Sequence, residues 1–195
     1  MKLYTSPGAC SLADHIALQW SGAPYEAQVV SRDDRKQGWY RALNPAGAVP
    51  VLQVGDWVLT QNAAILNYIA DKFPQAKLGG DGSPEGRAEV NRWLAFLNSD
   101  MHPAFHPLFG STAALGEAAD TRAKELAKQK LRGQFERIDA QLSGGDWLVA
   151  SRSIADPYLF VVTQWAKNLG IDLPGWTTSP RSMRAWPPIP AYGRC

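Results

Sequence analysis

The stretch from Asn44 to Leu66, NPAGAVPVLQVGDWVLTQNAAIL, constrains this chain more than any other. Two short apolar runs, Val51–Val54 and Trp57–Leu59, flank Gly55-Asp56, a pair suited to a two-residue hairpin turn. Thr60, Gln61 and Asn62 then offer polar groups where an apolar-periodic segment begins. It runs through Ala63, Ile65, Leu66, Ile69 and Ala70 to Phe73 and a stopping Pro74. The spacing predicts strand, turn, strand, helix. Pro50 opens the first strand, where its missing N–H is tolerated, and this leaves the backbone of Val49 open to another partner. From the residues alone the Val49-Pro50 bond is expected to be trans, as most X–Pro bonds are.

Around this stretch, Lys2–Thr5 reads as a strand broken by Ser6-Pro7-Gly8. A helix follows from Ser11 through Leu12, Ile16, Ala17 and Trp20, closed by Gly22. Tyr25–Val30 alternates as a strand, and 32–42 is charged and irregular with room for a short helix. Residues 75–82, QAKLGGDG, break the composition and mark a linker. Ser83-Pro84-Glu85 starts a helix through Val90, Trp93, Leu94, Leu97 and Met101, with a kink or break expected beyond His102 because Pro103 and Pro107 intervene. A second amphipathic helix spans 121–142. Ser153-Ile154-Ala155-Asp156 resembles a capping box leading into a third, which Gly170 ends. After Trp176 the chain carries four prolines and no uninterrupted apolar face, so a packed helix is not expected there.

A net charge of +2 is too mild to argue for nucleic acid, and no apolar run approaches the roughly 20 residues of a membrane span. The start shows no signal-peptide pattern. Two cysteines, Cys10 and Cys195, make neither a disulfide scaffold nor a metal-ligand spacing. A cytoplasmic, reduced protein without a metal is the expectation.

Cys10 precedes the first helix, where unpaired N–H groups and the positive dipole end favour a thiolate. Its other reading, open from position alone, is a small buried hydrophobe. Ser11 reads as the helix N-cap and His15 as structural. Among Phe105, Leu108, Phe109, Trp165 and Trp176, core packing and an apolar pocket are both open readings.

KLYTSPGACSLADHIAL, NPAGAVPVL and TQNAAILNYIAD together resemble the bacterial beta class of glutathione S-transferases, over residues 1–176. The resemblance implies a thioredoxin-like α/β N-terminal domain at 1–76, a linker at 77–83 and an all-α C-terminal domain at 84–195, with an atypical tail from about 177. It implies a cis Val49-Pro50 bond and glutathione paired to the backbone of Val49 like an added strand. Gln61 and Asn62 would hold the γ-glutamyl end, with Ser99 and Asp100 completing the site. Cys10 would lie beside the glutathione sulfur, with His102 aimed at the same thiol. His106, Phe105, Phe109 and Trp165 would line a pocket for an apolar electrophile, although for His106 a solvent-facing role is equally open. A homodimer that conjugates glutathione is implied. Monothiol disulfide exchange through Cys10 and non-catalytic binding are the alternatives. The chain departs from the family pattern in having Gln61 for an acid, Ala95 for an asparagine, Pro103 for a lysine and Thr5 for a tyrosine. The acid implied to reach across a dimer is the shorter Asp100.

Overall fold

The computed structural model describes residues 1–171, so Trp176 and the tail from about 177 lie outside the described residues. Strands β1 (Lys2–Thr5), β2 (Glu26–Val29), β3 (Val51–Val54) and β4 (Trp57–Thr60) form one sheet in the order β2-β1-β3-β4. β1 is parallel to β2 and antiparallel to β3, with Leu3 opposite Ala27 and Leu52. The β3–β4 hairpin closes at Gly55-Asp56, where Gly55 takes φ +61° at no side-chain cost. Helices α1 (Ser11–Ser21), α2 (Gly38–Leu43) and α3 (Asn62–Lys72) complete a thioredoxin-like β-α-β-α-β-β-α half. The expected short helix in the charged 32–42 segment is α2, preceded by a single turn at Asp34–Lys36.

Gly22 ends α1 at φ +69°, as its place after the last apolar residue predicts. Ser11 is not the N-cap. That position belongs to Cys10, while the Ser11 hydroxyl is buried, accepting from Thr5 Oγ1 at 2.8 Å and from the Ser6 N–H at 3.2 Å. It ties the β1–α1 loop to the helix start and so fixes where Cys10 sits. His15 is buried edge-on against Tyr25, in keeping with a structural role.

The second half is helical among the described residues: α4 (Pro84–Ala95), α5 (His102–Ala104), α6 (Glu117–Leu142) and α7 (Ala155–Asn168). Ser83 caps α4, accepting from the Gly86 N–H at 2.9 Å. Between α4 and α5 the backbone makes a π-helical turn at Phe96–Met101, and helical structure continues through Pro103 to Ala104. The helix thus ends beyond His102, as expected, two residues further on at Ala104. Pro103 is tolerated because it is one residue into α5, where a missing N–H costs least.

The core is continuous across both halves. Leu3, Leu52, Ile65, Leu66 and Ile69 pack in one cluster with Trp93, Leu97, Tyr158 and Phe160. Each fully buried aliphatic or aromatic side chain contributes about 1.5–3 kcal/mol. Two further ties cross the halves: Leu78 C=O accepts from the Ile154 N–H at 2.9 Å, and Trp165 Nε1 donates to Gly8 C=O at 2.7 Å. The second fixes α7 against the loop that carries Cys10.

Candidate functional site

The hairpin, the starts of α1 and α3, and α5 converge on one cleft of about 250 Å³. Its wall includes Cys10, Val49, Pro50, Gln61, Asn62, His102 and His106. The structure thus brings together seven residues that the sequence singled out from distant positions. The Val49-Pro50 peptide is cis. This agrees with the resemblance and corrects the trans expectation drawn from Pro50 alone. The 44–48 loop is braced from two sides, since Tyr40 Oη and Asn44 Nδ2 both donate to Ala48 C=O at 2.8 Å.

Gln61 sits at the N-cap of α3 with φ +76° and ψ 116°, a conformation that non-glycine residues rarely adopt. Strain of this kind costs on the order of 1–3 kcal/mol and concentrates at ligand clamps. Gln61 is exposed and lines the cleft at the start of α3. Asn62, by contrast, is 5% exposed and lies against the fully buried Asp14 of α1.

The Cys10 thiol donates to Val49 C=O at 3.7 Å. Its neighbouring N–H groups do pull toward the thiolate, as its place at the helix start predicts. Burial outweighs them and, with Asp14 nearby, pushes the thiol up to about 12. The thiolate expectation is corrected: Cys10 rests as a neutral S–H. The helix terminus is the smaller effect at this half-buried thiol.

His102 Nδ1 lies 2.6 Å from the Tyr158 hydroxyl, and the Trp165 ring meets the imidazole at 4.7 Å. Burial, with a smaller contribution from His106, lowers His102 to about 4, so the ring is neutral at physiological pH. The two histidine rings stand 5.7 Å apart.

The remaining sequence candidates divide. Ser99 and Asp100 are exposed and are not among the cleft-lining residues, and the Asp100 C=O accepts from Gln134 Nε2 at 2.9 Å. Phe105 is fully buried and belongs to the core, which corrects its placement in a pocket. Phe109 is 51% exposed, stacks on Phe105 at 5.8 Å and meets Trp165 edge-on at 5.2 Å. Leu108 is half-buried against the core. Trp165 is also buried in the core, which corrects its placement in a pocket in the same way, so the exposed Phe109 ring is the apolar surface left beside the His102–His106 wall.

Sequence reasoning missed Asn44, Thr60, Asn98 and Tyr158, which also line the cleft, and Asp14 behind them. Asp14 had a signal: an acid inside an apolar helix face must find a partner. Tyr158 and Asn98 had none that spacing could supply.

Comparison with known proteins gives four findings. The family model described as "Glutathione S-transferase, N-terminal domain" matches residues 9–72. A glutathione S-transferase of Xanthomonas campestris pv. campestris is 58% identical over 177 residues, covering 90% of this chain and 87% of its own length. Among solved structures, a glutathione S-transferase from Xylella fastidiosa superposes with a TM-score of 0.87 at 52% identity, covering 95% of this chain and 89% of that one. A sphingomonad glutathione S-transferase complexed with glutathione does so with a TM-score of 0.78 at 38% identity, covering 95% and 90%.

Proposed function

This chain belongs to the glutathione S-transferase family, and from that premise we propose that it conjugates glutathione to apolar electrophiles in the cleft between Val49 and His102. The observation that carries the proposal is the convergence in one cleft of Val49, the strained N-terminus of α3 and a neutral His102. The backbone of Val49 pairs with the cysteinyl part of glutathione as an added strand would. The γ-glutamyl carboxylate meets the first N–H groups of α3, where the helix dipole favours an anion. Gln61 accepts from the γ-glutamyl ammonium as a neutral amide.

The glutathione sulfur then lies beside His102 and Cys10. Its proton leaves to solvent, its electron pair forms the bond to the electrophilic carbon, and that carbon expels its leaving group. An imidazole N–H stabilises the developing thiolate, and the exposed Phe109 ring holds the acceptor within reach. Cys10, resting as a thiol bound to Val49 C=O, supports the pocket and does not act as a resting nucleophile. That weighs against disulfide exchange through Cys10. In this reading residues 1–76 carry the glutathione site, 77–83 link, and 84–195 supply the acceptor side. The protein works as a cytoplasmic homodimer, with Ser99 and Asp100 on the face available to a second copy.

Turnover of glutathione with an activated aryl chloride tests the proposal. His102→Ala is expected to lower kcat roughly 100–1,000-fold, the range of a lost charge-stabilising donor, while KM for glutathione moves little. Equal kcat in wild type and variant would remove His102 from the chemistry.

A further inference from the structure

Behind the cleft, Asp14 is fully buried and Asn62 nearly so, and their side-chain polar atoms meet at 2.6 Å. Tyr158 stands 2.6 Å from His102 Nδ1 and lies 3.4 Å from Asn98 Oδ1. α7 thus meets α5 through this hydroxyl. We propose that Tyr158 is a positioning residue, whose hydroxyl donates to His102 Nδ1 and fixes the imidazole as its Nε2–H tautomer.

With the Asn62 amide oriented so that both groups are satisfied, its Nδ2 donates to the Asp14 carboxyl at 2.6 and 3.2 Å. The direction at Tyr158 follows from counting its own protons.

Tyr158 then has one proton to give and two acceptors in reach. His102 Nδ1 at 2.6 Å is a strong hydrogen bond, whereas Asn98 Oδ1 at 3.4 Å is a long one. The opposite arrangement, with Nδ1–H donating to tyrosine, would force the phenol proton onto the long contact. Burial also keeps the phenol protonated and the imidazole neutral. The remaining nitrogen, Nε2, carries the hydrogen. Since the proposed function makes the glutathione sulfur the reacting atom, on that reading His102 acts as a donor to the thiolate and not as the base that takes the thiol proton.

Histidine-selective ¹⁵N NMR of the ligand-free protein tests this hydrogen bond without relying on turnover. Wild type is expected to show His102 protonated at Nε2 and bare at Nδ1, and Tyr158→Phe to show averaging of the two tautomers. In turnover, Tyr158→Phe should lower kcat about tenfold with KM for glutathione within about threefold. An Nδ1–H tautomer in wild type would overturn the proposal whether or not Tyr158→Phe folds. So would an unchanged pattern in Tyr158→Phe. Failure of the broader functional reading looks different: no turnover in any form of the protein, with the tautomer assignment intact.

Discussion

At Cys10 a helix terminus and burial act on one thiol in opposite directions. A helix N-terminus is worth about 0.3–1 kcal/mol at an exposed site, whereas desolvation of a buried group shifts its titration by up to about 3–5 pH units. Burial wins, and the thiol is held at about 12. Iodoacetamide modification of a Cys195→Ser background should therefore keep accelerating through pH 10 without a plateau. A plateau below the ordinary thiol value of about 8.5 would contradict this. Gln61 is the second residue at which a small change matters. A carboxylate there would face the ammonium of glutathione with a charge-assisted bond, about twice as strong as the neutral one. Gln61→Glu is expected to tighten S-methylglutathione by roughly three- to thirtyfold, equivalent to about 1–2 kcal/mol. The gain should shrink as salt rises. Unchanged binding would mean that Gln61 does not meet the γ-glutamyl end.

Among the elements, α7 does the most to build the site, and its start depends on Asp156. That carboxylate is buried and accepts from the Leu148 N–H at 3.0 Å, the Ser153 N–H at 2.7 Å and the Ser153 hydroxyl at 2.9 Å. This is one half of the capping box that Ser153-Ile154-Ala155-Asp156 suggests, extended by a tie to Leu148; the helix N-cap is Ile154, and Ser153 Oγ accepts from the Ala155 N–H at 3.3 Å. Burial nevertheless raises Asp156 to about 6 from an ordinary 3.8, because three donors do not fully replace water. A raised acid contributes stability that is fully present below about 3.8 and is lost as pH climbs through about 6. Asp156→Asn leaves one buried donor without its acceptor, and should cost about 1–3 kcal/mol. Measured by denaturant titration, that cost should be largest near pH 4 and shrink toward pH 6.5. A cost that grows with pH would show that the ionised form is the one the fold prefers. The same helix marks where the sequence stops being legible. Eleven of the fourteen residues of α7 are buried, so no single apolar stripe distinguishes the face that holds Tyr158. The π turn at Phe96–Met101 likewise shifts the register of the segment carrying Asn98, which a 3.6-residue reading cannot register. Cys10, Val49, Pro50, Gln61 and His102 were legible because backbone-defining motifs surround them. Phe105 was misplaced because an aromatic at helical spacing carries no mark of which side it faces.

For the whole molecule, the cleft exists only because two halves share one core. The sheet and α1–α3 supply Cys10, Val49, Gln61 and Asn62, while α5 and α7 supply His102, His106 and Tyr158. Leu78 C=O and Gly8 C=O are each held by a donor from the helical half. Glutathione recognition is therefore a property of the assembled chain, and it rests on backbone and helix-terminal groups more than on side-chain charges. Cys10, a neutral thiol in this account, is not needed for that recognition. Calorimetric titration of S-methylglutathione into wild type and Cys10→Ala measures this directly, since the methylated sulfur cannot form a mixed disulfide. The account predicts saturable binding at one site per chain, with dissociation constants for the two proteins within about threefold of each other, a difference below about 0.7 kcal/mol. Absence of saturable binding in wild type, or its loss in Cys10→Ala, would contradict it.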